Sequence, residues 1–556
     1  MVETKLRAHC ALAATVVLGG CYDGASRDRT ELSGGIATLG SSAGDAGDAG
    51  DASESGDDDG TGDDDGSAAD DGSDDAASAG ESDDGDTTDG DGPPIAEYGP
   101  AIDIVPIAVH VNQGVAVPVA DDGVAIDPAQ RTAPLVHGRR SLVFATWELA
   151  PTFVPRMIRA ELLLAHADGT SEVVASEVMV DGPAGTAPED RHFTWTLEPA
   201  QIPEGTQWSI TLHELEENEP GAPPPPRLPT NGAVAFDDED GEQRMRVVVV
   251  PYRHQYGGCN QVPPTDAATI DSFRKTMEMF YPAQSVEITV HAEVVYTDSM
   301  AVPDPVLAHT TALRGAESPD VDVYYYGLLM PCDASTTYGG YGYVPLSPEG
   351  AGEAAYRVAI GIWYDFDPQF SYVTMAHEVG HNHGREHVAC SGSEAGTDPA
   401  YPIPGGLTGV VGWGIHDGVF RPSTDADYMS YCNQLWASPY GWSRTLAVLD
   451  ALTAIVGTGG APAQDGGAVL LAMHDGELTA AQYVEGLVPR RTDGAARIIG
   501  ADGYPRTIAW ERANVPDSTS TFVSVPMSNV ELETLESLVI EHGDMTLTVP
   551  SSAIRR

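Results

Sequence analysis

The chain has 556 residues, six cysteines and a formal net charge of −56. An acid excess of that size leaves no basic face for nucleic acid or anionic lipid, and it excludes both as expected partners. The length allows several domains.

At the start, Lys5 and Arg7 precede an apolar run from Ala8 to Gly20, too short for a permanent membrane helix. The run ends Leu18-Gly19-Gly20-Cys21, which resembles a bacterial lipoprotein signal. Residues 1–20 are therefore expected to be removed, taking Cys10 with them and leaving Cys21 as the lipidated N-terminus. Membrane contact is expected through that lipid only, at an extracytoplasmic or outer-membrane surface, or by secretion if cleavage is of the ordinary kind.

Residues 21–97 read as a disordered acidic tether. There is no aromatic residue between Tyr22 and Tyr98, and Asp45 to Asp91 holds 20 acidic residues with no Lys or Arg. Such a composition buries too little apolar surface to offset its ordering entropy. A flexible coil of about 75 residues spans on the order of 50 Å. Asp84-Gly85-Asp86 and Asp89-Gly90-Asp91 suggest calcium capture, but they lack the ligand spacing and closing glutamate of an EF-hand, so structural Ca2+ has no support here.

Residues 98–244 alternate in short segments divided by Pro and Gly: Ser141 to Trp147, Arg159 to Leu164, His192 to Leu197 and Trp208 to Leu212. That spacing predicts a β-sandwich. Pro220 to Pro229 and Asp237 to Asp240 read as a closing linker. Further on, Met245 to Pro251, Ser285 to Tyr296, Val321 to Leu329 and Arg357 to Trp363 are predicted strands, and Ile270 to Phe280 a helix. Tyr324-Tyr325-Tyr326 is expected to be core. Beyond residue 458 the segments Val469 to Met473, Arg506 to Trp510, Thr521 to Val525 and Met545 to Val549 predict a small β-rich accessory domain.

The most informative stretch runs from His377 to His387 and reads H-E-x-x-H-x-x-G-x-x-H. His377 and His381 project from one helix face, and Glu378 follows the first ligand. Gly384 lets the helix stop and turn, bringing His387 back as a third ligand to one Zn2+ with a fourth position open. His383 points to another side and reads as structural. The chain then reads Asp427-Tyr428-Met429-Ser430-Tyr431-Cys432.

The zinc motif followed by this methionine and tyrosine resembles the metzincin zinc proteases and their Met-turn over roughly residues 245–457. The flanking sequence is similar to secreted reprolysin-like or mucinase-like bacterial members. The resemblance implies an α/β (α+β) catalytic domain with a mixed twisted sheet and an active-site helix. It implies His377, His381 and His387 as zinc ligands, Glu378 as general base, Met429 beneath the metal and Tyr431 as oxyanion stabiliser. It also implies that the strand Arg357 to Trp363 is the sheet edge that pairs with extended substrate. The segment Ala108 to Gly114 looks like domains that precede some secreted metzincins. Asp425 and Asp427 are candidates to hold the ligand histidines. No cysteine switch or other latency motif is evident.

Four cysteines remain after processing, which allows three pairings in an exported chain. Cys390 and Cys432 both flank the zinc motif, so Cys390–Cys432 is expected, leaving Cys259–Cys332. The expected activity is that of an exported zinc endopeptidase acting on proteins or glycoproteins. The alternative is a surface-binding lipoprotein on the same scaffold with little or no proteolysis.

Overall fold

The computed structural model describes residues 98–556, except the short stretches 186–190, 218–222, 237–240, 334–335, 337, 393, 460–465 and 543–544. The leader, Cys21 and the acidic tether lie outside the described residues. The chain is a β-rich multidomain protein with few helices.

The first body contains two antiparallel sheets. One is built on Ile104–Asn112, Ala116–Asp121, Ser141–Leu149 and Phe193–Leu197; the other on Arg156–Ala165, Ser171–Val180 and Gln207–Glu217. Alternation decides which side chains meet: Ile158, Ala160, Leu162 and Leu164 point inward from one sheet, and Phe193, Trp195 and Leu197 from the other. Each fully buried aliphatic side chain contributes roughly 1.5–3 kcal/mol. The segment read as a linker is not one throughout. Arg227–Leu228 and Val234–Ala235 pair with Gln207–Glu217, and Leu228 and Phe236 are buried, because apolar residues among the prolines find an unpaired strand edge.

Asn112-Gln113-Gly114 fixes this body to the next. The Asn112 amide donates to the Val411 carbonyl (3.1 Å), and the Trp436 indole donates to the Gly114 carbonyl (2.6 Å). The buried Arg139 guanidinium joins the Gln113 carbonyl (2.8 Å) to that of Ala283 (2.5 Å).

The central sheet runs Cys259–Gln261, Arg244–Tyr256, Val323–Leu329, Val358–Ile362, Gly340–Gly342. Its middle pairings are parallel and both ends are antiparallel. The predicted strand Ser285 to Tyr296 is two strands, Ser285–Val290 and Val294–Tyr296, both parallel to Arg244–Tyr256. Tyr324, Tyr326 and Leu328 face helices α1 (Ala267–Phe280) and α3 (Pro368–Asn382). Val323, Tyr325 and Leu329 face α2 (Asp304–Glu317). Burial on both faces explains the unbroken apolar run of this strand and keeps all three tyrosines in the core. Val358–Ile362 is not the sheet edge, since Gly340–Gly342 pairs against it and takes that position.

A fourth helix, α4 (Pro439–Gly457), leads to a seven-stranded antiparallel sheet over Gly467–Pro550. Within Gly467–His474, Val469, Leu471 and Met473 enter that sheet's own core, while Ala468, Leu470 and Ala472 pack with α2 of the central body. The two bodies therefore share a core. Among the described residues, no helix is long and apolar enough to cross a membrane.

Candidate metal centre

Helix α3 starts with Pro368 in its first turn, where a missing N–H costs nothing. It ends at Asn382, whose amide donates to the carbonyls of Tyr343 (2.9 Å) and Val358 (3.0 Å) and ties the helix end to the sheet. Gly384 follows at φ +72, the left-handed conformation that redirects the chain. His387 is thereby carried back towards His377 and His381.

Each of the three rings offers its Nδ1–H to a backbone carbonyl. His377 donates to Tyr428 (2.8 Å), His381 to Arg385 (2.7 Å) and His387 to Ala395 (2.5 Å). That orients each ring and turns its Nε2 inward. The ring centroids lie 4.8–5.4 Å apart. Burial, then the neighbouring His381, lowers His377 to about 3, so its ring stays neutral. Its Nε2 is buried without a hydrogen-bond partner. Three imidazoles converging in this way could hold a metal ion.

Carbonyls hold the rings, not Asp425 or Asp427. Asp427 acts one step away: it pairs with the buried Arg385 guanidinium (3.3 Å), whose own carbonyl receives His381, and it accepts from the Met429 amide (2.9 Å) and the Ser438 hydroxyl. Met429 is fully buried, its sulfur so close to Gly380 that a Cβ there would lie 2.5 Å from it. The disulfides are Cys390–Cys432 and Cys259–Cys332, as expected. The first clamps the end of the histidine loop to the methionine turn. His383 stands outside the cluster, with Nδ1–H on the Val379 carbonyl (3.0 Å) and Nε2 at the Tyr324 hydroxyl (3.1 Å).

Glu378 is buried beside His377, with Oε2 lacking a partner. Burial first, and the Asp517 carboxylate second, hold its carboxyl well above the ordinary range. A small cleft of about 60 Å³ opens here, lined by His377, Glu378, Tyr431 and Gly340 of the edge strand, with Phe370, Val373 and Leu435 as apolar walls.

The sequence reading missed Asp517. This residue lies in the turn between Pro505–Ala513 and Thr521–Pro526, in the carboxy-terminal sheet. Its carboxylate sits 3.0 Å from His381 Nε2 and 2.9 Å from His387 Nε2, and it accepts the Tyr431 hydroxyl. Two ligands each about 2.0–2.1 Å from a tetrahedral zinc lie roughly 3.3–3.4 Å apart; Asp517 stands slightly inside that spacing, at hydrogen-bond distance from two of the histidines, and joins them in one group that could hold a metal ion. Burial raises its pKa, but His387 and His381 outweigh that and hold it well below the usual carboxylate range. Val515-Pro516-Asp517-Ser518 has no spacing relative to the histidines that could have marked it.

Cys390, Glu394 and Cys432 also lie together, but their thiols are spent in the disulfide. Three histidines and one aspartate that could hold a metal ion thus form the centre of the described residues, and no protein-family model and no curated protein sequence matches this chain.

Proposed function

We propose that the chain is a zinc endopeptidase of the metzincin type, cleaving extracellular proteins or glycoproteins. One observation carries the reading: the ligand nitrogens of three histidines lie together, and one of these residues, His377, lines a cleft where an unpaired Glu378 oxygen is also buried.

A bound zinc ion would polarise a carbonyl and acidify water. Glu378, buried beside that position with one oxygen unpaired, would take a proton from water and return it to the leaving amine. Tyr431 donates its hydroxyl to the developing oxyanion. Gly340–Gly342 is the last strand of the sheet and Gly340 lines the cleft, where an extended peptide would lie beside it, and the walls of Phe370, Val373 and Leu435 would accept an apolar side chain. Export and lipidation at Cys21 belong to the same reading. Two disulfides support export, since such bonds persist in oxidising compartments.

Asp517 favours a second reading. Four protein ligands make a closed site, as in structural metal centres, and suit a binding protein with no proteolysis. Zinc content and cleavage of a mixed protein and glycoprotein panel separate the two, measured on the full chain, Asp517→Ala and Glu378→Gln. Cleavage lost in Glu378→Gln supports the protease. One bound zinc with no cleavage by wild type or Asp517→Ala sinks it.

A further inference from the structure

Asp517 reaches the histidines from the carboxy-terminal sheet, and it arrives at the place a substrate needs. Its carboxylate lies between His381, His387 and the Tyr431 hydroxyl, and it lines the same cleft as Glu378. A scissile carbonyl brought to the metal and to Tyr431 would have to occupy that volume. The two uses are mutually exclusive.

The turn that carries Asp517 is pinned on both sides. The Asn514 carbonyl accepts from the Val344 amide (2.9 Å), two residues past the edge strand, and Val515 is buried. On the far side the Ser520 hydroxyl donates to the buried Asp304 carboxylate (2.6 Å), which also takes the Thr479 hydroxyl (3.0 Å). Asp304 starts α2, so the turn is fastened to the central body at both ends with Asp517 at its apex. The whole sheet cannot fall away to free the site, because Leu470, Val484 and Phe522 share a core with Val306, Leu307 and Tyr343. Gly315 of α2 packs so closely that a Cβ there would lie 2.4 Å from the Glu485 carbonyl.

From this geometry we infer that Asp517 is an internal latch: it holds the fourth ligand position of the zinc centre and closes the cleft, and the enzyme opens when residues 514–520 withdraw or are cut. The inference rests on the zinc reading of the three histidines. Withdrawal would open the position that Asp517 holds and remove that acceptor from the Tyr431 hydroxyl. The carboxy-terminal sheet is then an inhibitory element built into the fold, and a protease able to nick 514–520 is the class of activator it calls for.

The test uses the full chain loaded with one zinc, and acetohydroxamate, a small ligand that needs an open metal position. Its affinity is measured by calorimetry for wild type, Asp517→Ala and Asp517→Asn, with near-ultraviolet circular dichroism to show that each is folded. Asp517→Asn keeps the side-chain shape if Asp517→Ala loosens the turn. Tightening by at least about ten-fold in either folded variant is the expected result, because an equilibrium competitor has been removed. Equal affinity in all three overturns the latch, as does loss of the zinc itself from both variants, which would make Asp517 a structural ligand. Cleavage is read in parallel and keeps the two claims apart. Tighter hydroxamate binding with no cleavage by any chain supports the latch and removes the protease reading. Equal hydroxamate affinity with Glu378-dependent cleavage by wild type does the reverse.

Discussion

Arg385 and Asp427 form a buried ion pair at 3.3 Å that joins the two halves of the metal centre. Arg385 belongs to the loop after α3, and its carbonyl sets the His381 ring; Asp427 belongs to the methionine turn and holds the Met429 amide. Removing one partner of a buried pair leaves an uncompensated charge and costs about 3–5 kcal/mol. Asp427→Ala is therefore expected to lower unfolding free energy by that order in urea titrations. Loss of an outer-shell support also weakens metal affinity about 10–100-fold, to be read by zinc competition against a chromogenic chelator. Unchanged zinc affinity in folded Asp427→Ala would separate the pair from the site.

The edge strand lies on α3 only because it lacks side chains where it crosses. A Cβ at Gly342 would sit 2.3 Å from the Glu378 carbonyl, a backbone atom with no room to move. Gly342→Ala should cost roughly 1–3 kcal/mol of stability through overpacking. On the protease reading it should also depress kcat/KM, because the same contact sets the distance between the edge strand and Glu378. Wild-type kcat/KM in the folded variant would contradict this placement.

The Cys390–Cys432 bridge closes a separation of 42 residues around the centre. Replacing both by Ala should cost about 2–5 kcal/mol, in the range found for native disulfides. Faster zinc loss to EDTA is expected with it, measured by stopped-flow, since the histidine loop would no longer be fixed to the methionine turn. Equal loss rates would restrict the bridge to global stability.

His110, in the first body, stacks on Phe144 with ring centroids 4.8 Å apart. Burial lowers it to about 4, with Asp121 opposing and His192 assisting. Its unfolded value is near 6.5, so between pH 4 and 6.5 the unfolded chain binds the extra proton. Stability contributed by this group is full above pH 6.5 and is lost as pH falls towards 4. A plot of Tm against pH should rise across that window and flatten in His110→Phe. The same slope in the variant would assign the acid sensitivity elsewhere.

Local patterns in the sequence identified much of the site. His377, His381, Gly384 and His387 sit at spacings that helix geometry and one glycine turn convert directly into a cluster, and the structure brings them together. Cys390 and Cys432 were legible for the same reason, as neighbours of that motif. What could not be read depends on tertiary contact. Carbonyls of Tyr428, Arg385 and Ala395 hold the rings, and every residue has a carbonyl, so no residue type advertises the role. Gly340–Gly342 is too short and too poor in β-formers to register as a strand, and the family resemblance instead implies the edge for Arg357 to Trp363. Leu228 and Phe236 pack because a strand edge lay open to them, which the surrounding prolines concealed. Asp517 reaches the site only through the packing of a sheet against α2.

The central claim, that Glu378 works as the base of a zinc site held by His377, His381 and His387, is tested most directly by one comparison in the Asp517→Ala background. Peptide-bond cleavage is measured with and without Glu378→Gln, each chain carrying one zinc. The expected result is unchanged zinc content and a fall in kcat of about 10²–10⁴-fold or more, the contribution of a positioned acid–base group. Equal cleavage by the two chains would contradict the account.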